Sequence, residues 1–315
     1  MSDSRRNFIA KLLGLGGAAL GAGSAGHALW SRITTGSSVP SAHAAPQAAV
    51  RNVWVEGKDP YKATVAAIEK LGGIGRFVKK GQRVALLPNV GWARTMEQCA
   101  NTHPEVLRAV IEQCDAAGAK SITAFCNPCN DIRVCLDKSG IGEMVEDSPA
   151  RFEVINPKGW RARQAVTGCT HLKSADVYRL VDDSDVVINV PVAKHHGGAQ
   201  LTMCCKNLMG LVKDRGFMHQ KLHDAIADLT MMVPHALCIL DASRILLRHG
   251  PTGGSLKDVR WENTVIAGVN PAEVDALATS LFAQKPADIG YLHILGDRGY
   301  AELDPAKIPV SRIKA

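Results

Sequence analysis

Aromatic residues are scarce in this 315-residue chain: they make up 5% of it, and no basic run carries aromatics among its lysines and arginines. Proteins that bind single-stranded nucleic acid stack bases on aromatic side chains within a positive groove. An excess of one charge is also lacking. The chain has 37 Lys and Arg against 30 Asp and Glu; residues 1–44 hold four of these bases and one of these acids, so 33 and 29 remain, a net charge of +4. This balance predicts no nucleic-acid partner.

A long, strongly apolar run is also missing. The stretch 12–30 is diluted by six glycines and a histidine, whereas a stable membrane helix needs about 20 predominantly apolar residues. The stretch follows the pair Arg5-Arg6 and precedes Ala42-His43-Ala44, a cleavage site of small residues. This order looks like a twin-arginine export signal. We therefore predict a signal peptide over residues 1–44, the twin-arginine translocation machinery as a partner, a periplasmic location, and no stable membrane span after cleavage.

The rest of the chain, residues 45–315, alternates short apolar runs with helical patterns. Residues 83–88 are strand-like, residues 104–118 have apolar side chains at helical spacing, and residues 120–125 are strand-like again, which is a βαβ pattern. Further strands are predicted at 151–155, 186–192, 236–240 and 264–269, and further helices at 224–233 and 271–283. The alternation predicts an α/β fold with a largely parallel sheet and helices on both faces, arranged as one domain or as two lobes.

Potential metal ligands follow three of the predicted strands. In open α/β sheets, the loops at the carboxyl ends of strands form the binding crevice. These loops carry six cysteines and three histidines, which are soft and borderline ligands: Cys99, His103, Cys126, Cys129, Cys135, His195, His196, Cys204 and Cys205. The sequence therefore predicts that thiols and imidazoles share one pocket at this edge of the sheet.

The sharpest pattern among them is Cys126-x2-Cys129-x5-Cys135. Three thiolates at this spacing suit one metal ion or a [4Fe-4S] cluster, which needs a fourth ligand from elsewhere; the candidates for that ligand are Cys99, Cys204 and Cys205. Zinc or another transition metal is the alternative, bound by the same thiolates and a histidine. Two further interpretations stay open: a Cys126–Cys129 disulfide, which oxidising surroundings favour, and unpaired thiols in the core. A redox cluster would also imply an electron-transfer partner.

A second set of residues lies between 194 and 207. Cationic and imidazole groups stand there beside flexible backbone, which suits an anionic or metal-bound ligand: His195, His196 and Lys206 are the catalytic candidates, and Lys194, Asn207, Gly197 and Gly198 are the binding candidates. The alternative is a polar strand end with a glycine turn. Lys206 and Asn207 interrupt an otherwise apolar run, where burying them is costly unless they are paired or bind a ligand.

Several segments resemble the domain of unknown function 362 (DUF362) family. They are the run from Asp185 to His196, Lys206 to Gly210, His219, Gly250 to Gly254, and Asn270 to Asp275, with weaker likeness at 87–89 and in the helix from Pro104. Members of that family often occur with ferredoxin-like iron-sulfur modules. The sequence shows no such module, so we expect that any cluster is bound by the cysteines named above. Cys204-Cys205 departs from the family pattern, which is usually apolar before the Lys-Asn pair. The segment 194–206 has a fainter similarity to the nickel-pincer lactate racemases.

Three functions are consistent with these patterns. The first is an exported iron-sulfur or metal-binding protein with a redox role, because twin-arginine signals accompany proteins that fold around a cofactor before export. The second is an enzyme that acts on a small anionic substrate, with a histidine as general acid or base and a lysine that binds the anion. The third is metal storage or delivery through the same thiols.

Overall fold

The computed structural model describes residues 50–315, so the predicted signal peptide lies outside the described residues. Twelve strands are described: β1 Asn52–Glu56, β2 Arg83–Pro88, β3 Ser121–Ala124, β4 Arg151–Phe152, β5 Trp160–Gln164, β6 Ser174–Tyr178, β7 Val186–Val190, β8 Val192–His196, β9 Gln200–Thr202, β10 Leu237–Leu246, β11 Val259–Gly268 and β12 Val310–Lys314. The described α-helices are α1 Pro60–Lys70, α2 Pro104–Ala116, α3 Ile132–Ser139, α4 Ile141–Glu146, α5 Leu180–Asp183, α6 Cys204–Asn207, α7 Leu222–Met232, α8 Pro271–Ala278 and α9 Gly290–Asp297.

Ten of the strands form one sheet, in the order β12-β1-β11-β10-β7-β2-β3-β4, with β8 paired to β10 and β9 paired to β8. Strands β10, β7, β2, β3 and β4 are parallel to one another and run in this order from the middle of the sheet to its edge at β4. Antiparallel pairing is confined to β1–β11, β10–β11 and β8–β9 within the sheet, and to the separate β5–β6 pair. The largely parallel α/β fold expected from the alternation is confirmed.

The sheet buries both faces because successive side chains of a strand point to opposite sides. In β2, Val84 and Leu86 pack on one face while Ala85 and Leu87 pack on the other. Helices α1 to α4 cover the first face and α6 to α9 cover the second. Central strands covered on both sides read as near-continuous apolar runs, which is why β7 is VVINV and buried throughout.

The element boundaries differ from the prediction where backbone chemistry intervenes. The expected strand 186–192 is divided at Pro191, which has no N–H to donate to a ladder, and β7 and β8 lie on either side of it. The expected helix 271–283 ends at Ala278 and continues as a 3₁₀ turn. Strand β10 continues to Leu246, well beyond the expected end at 240. Within residues 50–315, no helix combines the length and apolar character needed to cross a bilayer.

Candidate functional site: a basic crevice at the ends of the parallel strands

Lys194, in β8, is buried at the carboxyl edge of the sheet. Its side chain is 1% exposed, and its Nζ donates to Asn89 Oδ1 at 3.0 Å and to the backbone carbonyl of Ala100. Burial in low-dielectric surroundings disfavours the charged ammonium and lowers the pKa of Lys194 to about 7, with a smaller contribution from Lys206. Lys194 is therefore partly neutral near physiological pH.

A chain of buried amides holds the floor of this crevice. Asn89 Nδ2 donates to Asn207 Oδ1 at 2.8 Å, and Asn207 Nδ2 donates to Asn189 Oδ1 at 2.8 Å and to the carbonyl of Leu87 at 3.0 Å. Asn189 Nδ2 donates onward to the carbonyl of Cys204 at 2.9 Å. Asn207 thus uses its oxygen and its amide nitrogen on protein partners, so it braces the ends of β2 and β7 and positions Lys194 through Asn89.

Lys206 lies one residue before Asn207, at the crevice, and has basic neighbours. Burial lowers the pKa of Lys206 to about 8; the cation of Arg215 lowers it further, and Cys129 opposes the shift. Arg215 is itself fixed by hydrogen bonds from Nη1 to the carbonyl of Asn127 at 2.8 Å and from Nη2 to that of Pro128 at 2.9 Å. In the part of the chain that is described, the Lys206 ammonium makes no hydrogen bond or ion pair with another side chain, which leaves it available to a ligand.

The two histidines of the β8 end are tied to backbone amides. His196 Nδ1 accepts from the N–H of Gly198 at 3.1 Å and of Ala199 at 3.0 Å, and burial together with the nearby lysines lowers the pKa of His196 to about 3. His195 Nδ1 accepts from the N–H of Gly250 at 3.2 Å. His196 is thus a neutral cap of the β8–β9 turn and is poorly suited to exchange a proton at neutral pH.

The glycine pair forms this turn and uses its own donors. The N–H of Gly197 bonds the carbonyl of Gly250 at 3.2 Å, and the N–H of Gly198 bonds His196. A Cβ on Gly250 would lie 1.9 Å from the carbonyl oxygen of His195, so only glycine allows this approach. The backbone N–H groups of Gly197 and Gly198, which were binding candidates from the sequence, accordingly donate to partners within the protein.

The loop after β2 is joined to the loop after β10 by side-chain hydrogen bonds. Arg94 Nε donates to the carbonyl of Thr252 at 3.2 Å, and Gln98 Nε2 donates to that of Gly254 at 2.8 Å. These bonds join the 92–102 loop to the 250–254 loop, which carries the glycine next to His195. The crevice is therefore assembled from loops that are far apart in sequence.

Cys126, Cys129 and Cys135 lie near one another but in different surroundings. Cys126 and Cys135 are buried and Cys129 is exposed. Burial raises the pKa of Cys126, and it raises that of Cys135 to about 11; Cys129 adds to both shifts. All nine cysteines are free thiols, so the alternative of a Cys126–Cys129 disulfide is not the state of this structure.

Cys204 and Cys205 do not join these three thiols. They are fully buried with Cys238 on the other face of the sheet, whereas Cys126 and Cys135 pack on the face covered by α1 to α4. Two of the three candidates for a fourth ligand, Cys204 and Cys205, therefore lie apart from Cys126 and Cys135, because α6 turns both thiols into the second core. Across residues 50–315, no three side chains of His, Cys, Asp or Glu form a group ready to hold a metal ion.

Asp275, in α8, is a structural carboxylate that our site prediction did not include. It accepts from the backbone N–H of Cys204 at 2.7 Å and of Cys205 at 3.0 Å, and from the Tyr291 hydroxyl at 3.3 Å. Burial raises the pKa of Asp275 to about 6. It fixes the start of α6, the helix that carries Lys206. The signal for it in the sequence is a pair of acidic residues, Glu273 and Asp275, within an otherwise apolar helical run.

Comparison with known proteins identifies the family of the chain. Residues 84–280, more than half of its length, match the domain of unknown function (DUF362) family. The chain belongs to this family. The matched region contains the strand ends, both lysines and the amide network described above.

Individual relatives are more distant. A thylakoid-associated protein of Synechocystis sp. is 27% identical over 233 residues, which is 70% of each chain. The lactate racemase apoprotein of Thermoanaerobacterium thermosaccharolyticum overlays with a TM-score of 0.46 at 9% identity, over 72% of this chain and 56% of its own. A structural-genomics target from Thermotoga maritima overlays with a TM-score of 0.41 at 14% identity, over 73% of this chain and 60% of its own. This chain thus spans a little over half of the racemase.

Proposed function

We propose that the protein is an enzyme that binds a small oxoanionic substrate, carrying carboxylate or phosphate, in the basic crevice. The observation that carries this proposal is a pair of lysines at the strand ends, Lys194 and Lys206, whose pKa values are lowered to about 7 and about 8. The groups that chiefly shift them, besides burial, are thiols and other bases. Perturbed lysines in a cleft are typical of binding and catalytic sites.

The two lysines suit different roles. Lys206 and Arg215 supply positive charge at the surface of the crevice, where an anion is attracted to them. Lys194 lies deeper, is held by Asn89, and has a pKa close to neutral pH, which is the condition for efficient general acid or base catalysis. We assign proton transfer to Lys194, in place of His196, and anion binding to Lys206; His195 remains a candidate from the sequence.

The test is anion binding and proton exchange by the purified protein. We expect acetate, phosphate and succinate to bind with heats measurable by calorimetry at low ionic strength, and Lys206→Met to weaken this binding at least tenfold. Lys194→Met is expected to retain binding and to lose deuterium exchange into those carbon acids of a small-carboxylate panel that the native protein exchanges, as followed by NMR. Lys213→Met, an exposed lysine of the same segment, is the matched control. Equal binding by all four proteins would refute the proposal.

Metal binding through Cys126, Cys129 and Cys135 is the second candidate. Its support is that Cys126 and Cys129 both act on the pKa of Cys135, so the three sulfurs lie within electrostatic reach. The buried thiols are kept protonated in the metal-free protein, and a metal would have to displace those protons. A bound [4Fe-4S] cluster would supply electron transfer. Iron and sulfide analysis of anaerobically purified protein, with EPR after reduction, tests it; a colourless protein without either element, and without zinc, would exclude it.

Export by the twin-arginine pathway is proposed on the sequence of residues 1–44 alone. Replacing Arg5 and Arg6 with lysine should leave the protein in the cytoplasm of its native host, as followed by cell fractionation. Periplasmic recovery of the doubly substituted protein would contradict a twin-arginine signal.

A further inference from the structure

Arg244, in β10, is a buried arginine with a free hydrogen-bonding edge. It is 1% exposed and is the largest fully buried side chain of the described residues. Its Nη1 donates to the carbonyl of Met96, but Nε and Nη2 are shielded from solvent and meet no partner within residues 50–315. Leaving donors of a buried charged group unsatisfied is strongly unfavourable.

Nearby carboxylates do not fill this edge. Asp241 Oδ1 accepts from the N–H and hydroxyl of Ser243, and its Oδ2 accepts from the N–H of His103 at 2.8 Å. Glu97 is close enough for Arg244 to lower its pKa slightly, but a hydrogen bond from Thr95 is the main cause of that shift. The edge of the guanidinium formed by Nε and Nη2 therefore has no hydrogen-bond acceptor among residues 50–315.

The same edge binds a carboxylate elsewhere in the protein. Arg83 uses Nε and Nη2 to bond the two oxygens of Asp185 at 3.2 and 3.1 Å. This two-point geometry matches carboxylate and phosphate oxygens. The free edge of Arg244 is the chemical equivalent of the edge that Arg83 has filled.

Arg244 and Lys194 lie under one loop segment. Leu246, two residues after Arg244, pairs with Lys194 across the β10–β8 ladder. Arg244 bonds the carbonyl of Met96, and Lys194 bonds that of Ala100. Between them Cys99, fully buried, adopts a φ of 54°, a left-handed conformation that side chains other than glycine seldom adopt and that clusters at functional sites.

We propose that the free edge of Arg244 is a second oxoanion subsite beside Lys194, and that the ligand of the crevice carries two anionic groups, as a dicarboxylate or a phosphorylated carboxylate does. This inference rests on the proposed function and narrows its substrate class. Arg244 and Lys194 are each 1% exposed and bond the carbonyls of Met96 and Ala100, so their surroundings have to move before a ligand can reach them.

The test compares monoanions with dianions by calorimetry at pH 7 and constant ionic strength. The probes are acetate, succinate, glutarate and phosphoglycolate. We expect the best dianion to bind the native protein at least tenfold more tightly than acetate, and Arg244→Gln to remove this advantage while acetate binding stays. Arg248→Gln, an exposed arginine just after β10 that pairs with Asp258 at 3.2 Å, is the matched control and should keep the advantage.

A second variant separates a binding role from a structural one. Arg244→Met replaces an unpaired buried charge with an apolar side chain of similar length, a change that is often stabilising. We expect a higher Tm for this variant without ligand, and no further rise on adding a dianion. A lower Tm together with retained preference for dianions would assign Arg244 a structural role and overturn the inference.

The outcomes distinguish this inference from the proposed function. Acetate binding that depends on Lys206, with no preference for dianions, would overturn the Arg244 subsite and leave the crevice as an anion site. No binding of any probe would overturn both. A crystal structure grown with phosphoglycolate that shows only a water on Nε and Nη2 would also overturn the subsite.

Discussion

Single residues at the strand ends show how burial changes chemistry. Lys194 and Asp275 are ordinary ionisable residues placed where water cannot reach them, and the pKa of each moves toward neutrality, down to about 7 and up to about 6 respectively. The pKa of His196 moves away from neutrality, because burial and neighbouring cations keep the imidazole neutral. His196 is therefore poorly suited to proton transfer. For these residues, removal of water shifts the pKa more than any neighbouring charge does.

The buried Lys194 predicts a specific dependence of stability on pH. Its pKa is near 7 in the folded protein and 10.5 in an exposed lysine, so between these values the unfolded chain holds a proton that the folded protein has released. The contribution of Lys194 to the free energy of unfolding should therefore rise with pH in this window, by on the order of 5 kcal/mol in total. Below pH 7 the lysine is protonated in both states and contributes no slope.

Urea unfolding from pH 6 to pH 10.5 checks this prediction against Lys194→Met. The difference in free energy of unfolding between the native protein and the variant should show this rise with pH, on top of a constant offset due to the unpaired Asn89 oxygen. Lys213→Met, which removes an exposed lysine, should follow the native curve. Parallel curves for the native protein and Lys194→Met would show that Lys194 titrates as an exposed lysine does.

At the scale of elements, the crevice depends on two loops meeting at the end of β8. The close contact of Gly250 with the His195 carbonyl predicts that Gly250→Ala pushes the 250–254 loop away, at a cost of about 2 kcal/mol or more. Gly197→Ala, where a Cβ meets no atom within 4 Å, should change stability by no more than about 0.5 kcal/mol. Thermal unfolding and anion calorimetry of both variants measure the difference.

Gly197 and Gly250 differ in the space that an added Cβ would have. Both lie at the β8 end, and they are linked by the hydrogen bond from Gly197 to the carbonyl of Gly250. Similar losses in both variants would mean that any added side chain disturbs the turn, and the tight approach of Gly250 would then not be what holds the loops together.

The elements that could be predicted from the sequence are those governed by local pattern. The apolar run at 83–88 and the helical spacing from Pro104 gave β2 and α2 because burial on the two sheet faces follows periodicity. The placement of the loops was also predictable, since parallel strands present their carboxyl ends at one edge. Local sequence patterns do not show which side chains contact each other when they are far apart in the chain. The hydrogen bond between Asn89 and Asn207 spans 118 residues, and the free edge of Arg244 depends on the position of Met96.

At the scale of the whole molecule, the sheet divides the cysteines into two populations. Spacing along the chain suggested a shared pocket, but a single turn of α6 directs Cys204 and Cys205 into the core opposite to that of Cys126 and Cys135. Sequence proximity to a strand end locates a residue at an edge of the sheet and leaves open which face it enters. The core that each buried thiol enters is therefore set by the packing of the whole sheet and its helices.

The different exposure of the nine thiols predicts their reactivity toward Ellman's reagent. Cys129 is exposed, Cys169 is half-buried and the other seven are buried, so one thiol should react rapidly, a second slowly, and seven only in denaturant. Exposed thiolate is the reactive species, and Cys129→Ser should remove the rapid phase alone. A native protein that shows no rapid phase until reductant is added would instead hold Cys129 in a disulfide. A rapid phase that appears only after treatment with chelator would show that a metal occupies it.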